Sequence, residues 1–109
     1  MHELSIADGI VEHCAERANG ARVLRVRLEI GRLSCVTAEA LRFCFDVCAK
    51  DTVVEGAALE IIQVPGRARC RGCGGEVEIR SFTESCACGN SDLRVIAGEE
   101  LRLKDMEVA

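Results

Sequence analysis

Residues 67–90, RARCRGCGGEVEIRSFTESCACGN, differ in composition from the chain on either side of them. Cys70-Arg71-Gly72-Cys73 and Cys86-Ala87-Cys88 are two short cysteine turns separated by twelve residues, and four of the ten glycines (Gly72, Gly74, Gly75 and Gly89) share the stretch. The apolar material is too sparse to form a core unaided. Two such turns facing one another can present four thiolates tetrahedrally to zinc, at about 2.3 Å each. Gly74 and Gly89 directly follow the turns, where backbone amides must swing toward sulfur with no Cβ in the way. Four protein ligands and no open position describe a closed, structural site. Metal binding of about 10–16 kcal/mol replaces the missing core. Residues 66–93 are therefore expected to form an inserted, zinc-ribbon-like domain, with Cys70, Cys73, Cys86 and Cys88 holding zinc.

Two rival readings of the cluster stand beside this one. A redox dithiol at Cys70 and Cys73 needs a strand-to-helix setting that the pattern lacks. A zinc-ribbon module binding nucleic acid or protein is suggested by Arg67, Arg69, Arg71 and Arg80. Zinc with four thiolates carries a net charge of about −2, however, and nearby arginines compensate it without any ligand.

Outward from the cluster, the chain reads as ordinary elements. Leu4, Ala7, Ile10, Val11, Cys14 and Ala18 share one stripe of a helix, with Glu12, His13, Glu16 and Arg17 on the other side. Ser5 is the expected N-cap, with Asp8 in a capping-box position, and Asn19-Gly20 the stop. Residues 23–30 alternate, with Leu24, Val26, Leu28 and Ile30 inward and Gly31 ending the strand. A second helix runs from a Thr37 cap to about Lys50, with Leu41, Cys44, Phe45 and Cys48 as its core stripe. A strand over 58–64 closes at Pro65-Gly66, and a last one over 93–108 is expected to rejoin the first sheet. The fold class is α+β: a small mixed sheet flanked by two helices, with the cysteine-rich domain inserted. Residues 1–65 plus 94–109 make up the larger domain. Cys14, Cys35, Cys44 and Cys48 are read as inert core residues.

At 109 residues the chain makes one or two small domains, and only Phe43, Phe45 and Phe82 are aromatic. No run approaches a membrane span and no secretory signal opens the chain, so a cytoplasmic protein without a membrane partner is expected. Eight cysteines without such a signal favour metal over disulfides. A net charge of −4 argues against a nucleic-acid partner. No catalytic constellation is evident, so a non-enzyme is expected.

The amino end adds a second metal chemistry. In Met1-His2-Glu3-Leu4, read as lying just ahead of the first helix, the Met1 α-amine, the His2 backbone nitrogen and the His2 imidazole can close on one cation. The Glu3 backbone nitrogen or carboxylate can supply a fourth donor. A planar set of nitrogens suits Ni(II) or Cu(II), whereas zinc has no electronic preference for it. The start methionine is expected to persist, because its removal needs a small second residue.

Met1-His2-Glu3-Leu4-Ser5-Ile6, the two cysteine turns, Glu55-Gly56-Ala57 and Gly98-Glu99-Glu100-Leu101 together resemble the HypA/HybF family of hydrogenase maturation factors, over essentially the whole chain. The resemblance implies a nickel metallochaperone that loads [NiFe]-hydrogenase, and in some organisms serves urease. Its implied partners are the GTPase HypB and the hydrogenase large subunit, with a homodimer as a further possibility. It also implies that His2 is the essential nickel ligand, with Met1 and Glu3 contributing, and that the four cysteines form the structural zinc site. The second turn departs from the family's usual Cys-Pro-x-Cys: Cys86-Ala87-Cys88 is one residue shorter and has a tighter bite.

Overall fold

A computed structural model describes residues 3–109. The helices are α1 (Glu3–Ala18) and α2 (Ala38–Ala49). The strands are β1 (Val23–Gly31), β2 (Ala58–Val64), β3 (Gly66–Cys70), β4 (Glu76–Ile79), β5 (Leu93–Ala97) and β6 (Leu101–Val108). They form two three-stranded sheets, ordered β2-β1-β6 and β4-β3-β5. The α+β class read from the sequence is the observed one. The chain divides into two compact units.

The first unit runs to Leu28 and continues over Val36–Ile62 and Arg102–Ala109. Its core is aliphatic apart from Phe45. Ala7, Val11, Cys14 and Ala18 of α1 are buried together with Leu41, Phe45 and Ala49 of α2, Val23, Val26 and Leu28 of β1, and Val54. Small residues every third or fourth position along α1 make a narrow stripe against which α2 packs. β6 lies beside β1, as expected of the closing strand. Across this pair the Arg27 guanidinium grips the Asp105 carboxylate with two hydrogen bonds, the Nε one 2.7 Å long.

Several local expectations need correction. α1 begins at Glu3, so Glu3 and Leu4 are helical rather than ahead of the helix, and Ser5 lies in the first turn rather than at the cap. Leu4 is exposed, because the buried stripe begins at Ala7. In β1, Val23 is buried and Leu24 exposed, so the inward phase assumed from Leu24 holds only from Val26 onward. Thr37 is the N-cap of α2 but makes no side-chain cap bond; its backbone N–H instead lies 3.5 Å from the Glu3 carboxylate. Cys44 and Cys48 are only partly buried, and Cys35 is not a core residue at all: it is exposed, with φ of 63°.

The second unit comprises Glu29–Cys35 and Gln63–Leu101. β3 is its central strand, antiparallel to β4 and to β5. Its apolar cluster is small: Leu33, Ala68 and Ile79, flanked by Val77, Leu93 and Val95. The stretch 93–108, read as one closing strand, is two: β5 joins β3, and only β6 joins β1. Gly98, with φ of 109°, makes the break between them. Three glycines then meet where backbones touch. A Cβ on Gly31 would fall 1.9 Å from the Gly98 carbonyl oxygen, and one on Gly98 would fall 2.5 Å from the Gly66 Cα. Side chains are excluded from this contact, and Leu33 caps it.

Candidate metal centre

The end of β3 delivers Cys70, and the turn that follows delivers Cys73. Gly74 N–H bonds the Cys70 carbonyl at 2.9 Å, and Gly74 takes φ of 75°. Backbone N–H groups of Gly72 and Cys73 point at the Cys70 sulfur from 3.3 and 3.4 Å, and that of Gly75 at the Cys73 sulfur from 3.4 Å. The second turn repeats the plan with one residue fewer. Gly89 N–H bonds the Cys86 carbonyl at 2.8 Å with φ of 94°, and Cys86 N–H bonds the Asn90 carbonyl at 2.9 Å. The glycines thus do what their spacing suggested: a positive φ bends each turn so that amides face sulfur.

All four sulfurs lie within 4.8 Å of one another. Cys70 and Cys88 are 3.6 Å apart and Cys73 and Cys86 3.7 Å. Four sulfurs at about 2.3 Å from one tetrahedral ion are separated by about 3.8 Å. The donor set therefore fits zinc, and the short second turn does not prevent it. Cys70 and Cys86 are buried while Cys73 and Cys88 are exposed.

Crowding splits the thiols. The Cys73 amide, and secondarily the Gly72 amide, draw the Cys70 thiol down to about 7 against the opposing effect of burial. At Cys88 the Asn90 amide pulls the same way, but the thiols of Cys86 and Cys70 outweigh it and hold Cys88 up to about 11. One thiolate forms readily and resists a second. A divalent cation removes that frustration, because it stabilises all four thiolates at once.

Two of the arginines nearby are engaged. Arg69 pairs with Glu76 at 3.3 Å and Arg71 with Asp92 at 3.2 Å. Asn90 was not anticipated as part of the centre. Its carbonyl closes the second turn, its side-chain oxygen accepts the Asp92 N–H at 2.7 Å, and its amide nitrogen sits against Gly72, where a Cβ would come within 2.3 Å. An asparagine immediately after the Cys88-Gly89 pair was the signal for it.

Of the expected nickel donors, Met1 and His2 lie outside the described residues. Glu3 opens α1, with its carboxylate at the start of α2. Among the described residues, no histidine joins the four cysteines.

A small α+β protein whose four cysteine sulfurs converge on one tetrahedral position belongs to the metal-binding proteins. The chain belongs to the family described as hydrogenase/urease nickel incorporation, metallochaperone, hypA, which it matches over residues 1–108. It is 50% identical over 108 residues to the hydrogenase maturation factor HypA of Nostoc punctiforme, covering 99% of this chain and 96% of that one. It is 51% identical over 109 residues to HypA of Geobacter metallireducens, covering 99% of each. The fold matches the solution structure of the nickel metallochaperone HypA from Helicobacter pylori, with TM-score 0.71 and 24% identity over 99% of this chain and 97% of that one. A second HypA solution structure matches with TM-score 0.74 and 24% identity, over 100% and 97%.

Proposed function

We propose that this protein carries Ni(II) on the nitrogens of its amino end and yields it during maturation of [NiFe]-hydrogenase, with urease as a second recipient. The Met1 α-amine, the His2 backbone nitrogen and the His2 imidazole are the primary donors. Family membership from residue 1 onward supports this reading most directly. Helix α1 starts at Glu3, so the Glu3 backbone nitrogen belongs to a first helical turn whose amides have no intrahelical acceptor. Because the Glu3 carboxylate lies beside the Thr37 amide, that backbone nitrogen is the fourth donor.

The chemistry suits transfer. Amine and imidazole must lose protons to bind, and their ordinary pKa values, roughly 8 and 6.5, bracket neutral pH. Protonation therefore competes with nickel, and a site at a chain end can be reached by an acceptor without unfolding the carrier. Zinc, held by Cys70, Cys73, Cys86 and Cys88, supplies cross-linking and charge neutralisation, not reaction chemistry. The nickel donors belong with the unit that holds α1, and the zinc donors with the unit that holds β3 and both cysteine turns. The protein acts in the cytoplasm, without catalysing a reaction of its own. Its partners are a HypB-type GTPase and the hydrogenase large subunit, met as a monomer or a homodimer.

Calorimetric nickel titration of untagged protein tests the assignment. His2→Ala, α-amine acetylation and a one-residue amino-terminal extension should each weaken nickel by at least roughly tenfold, as expected for loss of a chelate donor. Zinc content should not change. Wild-type affinity in all three would overturn it, as would nickel spectra showing sulfur ligation alone.

A further inference from the structure

Within the first unit, α1 and β6 border an open hollow of about 470 Å³, lined by His13, Arg17, Leu103, Lys104, Asp105 and Met106. That size is in the range of ligand clefts, roughly 300–1,000 Å³. Its charge differs from that of the chain, which has net charge −4. Arg17 and Lys104 are cationic, His13 can become so, and Asp105 is the one acid in the lining. Both Asp105 oxygens are taken by Arg27. Among the described residues, no side-chain hydrogen bond or ion pair within 4 Å holds Arg17 or Lys104, although Lys104 feels the neighbouring Asp105 carboxylate electrostatically. Arg17 lies in the last turn of α1, where a cation suits the helix dipole. The dipole does not account for Lys104, which comes from a different element and borders the same space.

Two further features describe the occupant. Leu103 and Met106 are partly buried and give the hollow an apolar component. β6 is also an edge strand of its sheet, so its outer backbone groups can pair with an extended chain. No aromatic side chain lines the hollow to stack a nucleotide base, and a lone phosphate would fill little of it.

We propose that this hollow binds an acidic, extended segment of a partner protein. Its carboxylates pair with Arg17 and Lys104, Arg17 in the two-pronged geometry of guanidinium and carboxylate. An apolar side chain of the segment rests on Leu103 and Met106. The site uses none of the nickel or zinc donors, so it stands or falls separately from the nickel reading.

The test uses the full-length, zinc-loaded protein and a capped hexapeptide alternating glutamate and leucine, followed by calorimetry and by amide chemical shifts. Binding should shift the amides of residues 13, 17 and 103–106 and weaken with added salt. Arg17→Gln with Lys104→Gln should weaken it by roughly tenfold or more, as loss of close charge pairs does. The urea unfolding midpoint and zinc content of that variant should equal those of the wild type, which shows that it folds. Equal binding by the double variant, or by a hexapeptide with glutamine in place of glutamate, overturns the proposal. So does displacement by inorganic phosphate at matched ionic strength, which marks a small-anion site. A wild-type dimer that the double variant cannot form, seen by sedimentation, would give the hollow to a second copy and likewise overturn it.

Discussion

The sulfurs of Cys70 and Cys88 stand 3.6 Å apart although the residues are eighteen positions apart in sequence. One sits at the end of β3 and the other in a turn with no regular structure. Covalent geometry does not hold them there, since all eight cysteines are free thiols. With only Leu33, Ala68 and Ile79 buried in the neighbouring cluster, a metal ion on the four sulfurs would supply the main cross-link between the turn at 70–73 and the turn at 86–88.

Cys88→Ser should therefore abolish stoichiometric metal binding. Protein purified without chelator should fall from about one zinc per chain to nearly none, because a three-thiolate set loses the closed tetrahedral site. Elemental analysis gives the ratio. In the same variant the amide signals of residues 66–97 should lose dispersion. A fully zinc-loaded variant with unchanged spectra would refute the assignment.

The Gly31–Gly98 contact makes a sharper prediction about packing. Gly31→Ala places a Cβ 1.9 Å from a backbone oxygen, which no rotamer change can relieve. A loss of about 3 kcal/mol is expected. Gly9→Ala supplies the contrast: its new methyl meets nothing within 4 Å in the middle of α1, and a gain of about 0.4–1 kcal/mol follows from helix propensity. Urea unfolding of both variants should give shifts of opposite sign.

Aromatic residues two positions apart should behave differently. Phe45 is 1% exposed and Phe43 71% exposed. Phe45→Ala should cost about 3–5 kcal/mol, and Phe43→Ala should stay within about 0.5 kcal/mol of wild type. Similar losses for the two would mean that α2 faces another way.

Arg27 and Asp105 predict a pH dependence. The hydrogen bond from Arg27 comes first among the causes that hold the Asp105 carboxyl below its ordinary range. A depressed folded-state value stabilises the protein above the unfolded pKa of about 3.9. That stabilisation disappears as pH falls through the folded value. Asp105→Asn should thus unfold at a lower urea concentration than wild type at pH 7, with the gap closing in acid below about pH 3.9. A gap that widens in acid would contradict the sign.

The cysteine turns were legible because their chemistry is local. Cys-x2-Cys-Gly and Cys-x-Cys-Gly specify where a left-handed residue must stand, and Gly74 and Gly89 stand there. The stripes of α1 and α2 were equally clear from Ala7, Val11, Cys14 and from Leu41 and Phe45. Other features were not. Cys35 looked like its apolar neighbours yet is exposed, where it caps a 3-10 turn over Arg32–Ser34 in the left-handed conformation. The division of 93–108 between two sheets depended on Gly98, whose role appears only once Gly31 and Gly66 are beside it.

By itself, the amino-acid sequence determined the α+β class, the four-thiolate centre and the family, since each depends on residue types a few positions apart. Tertiary structure alone decided which residue answers which across long separations: Asp105 to Arg27, Asn90 to Gly72, Glu3 to Thr37. Periodicity and turn chemistry act over one or two helical turns. Such distant pairs form only after the whole chain has settled how its elements pack, and no local pattern encodes that.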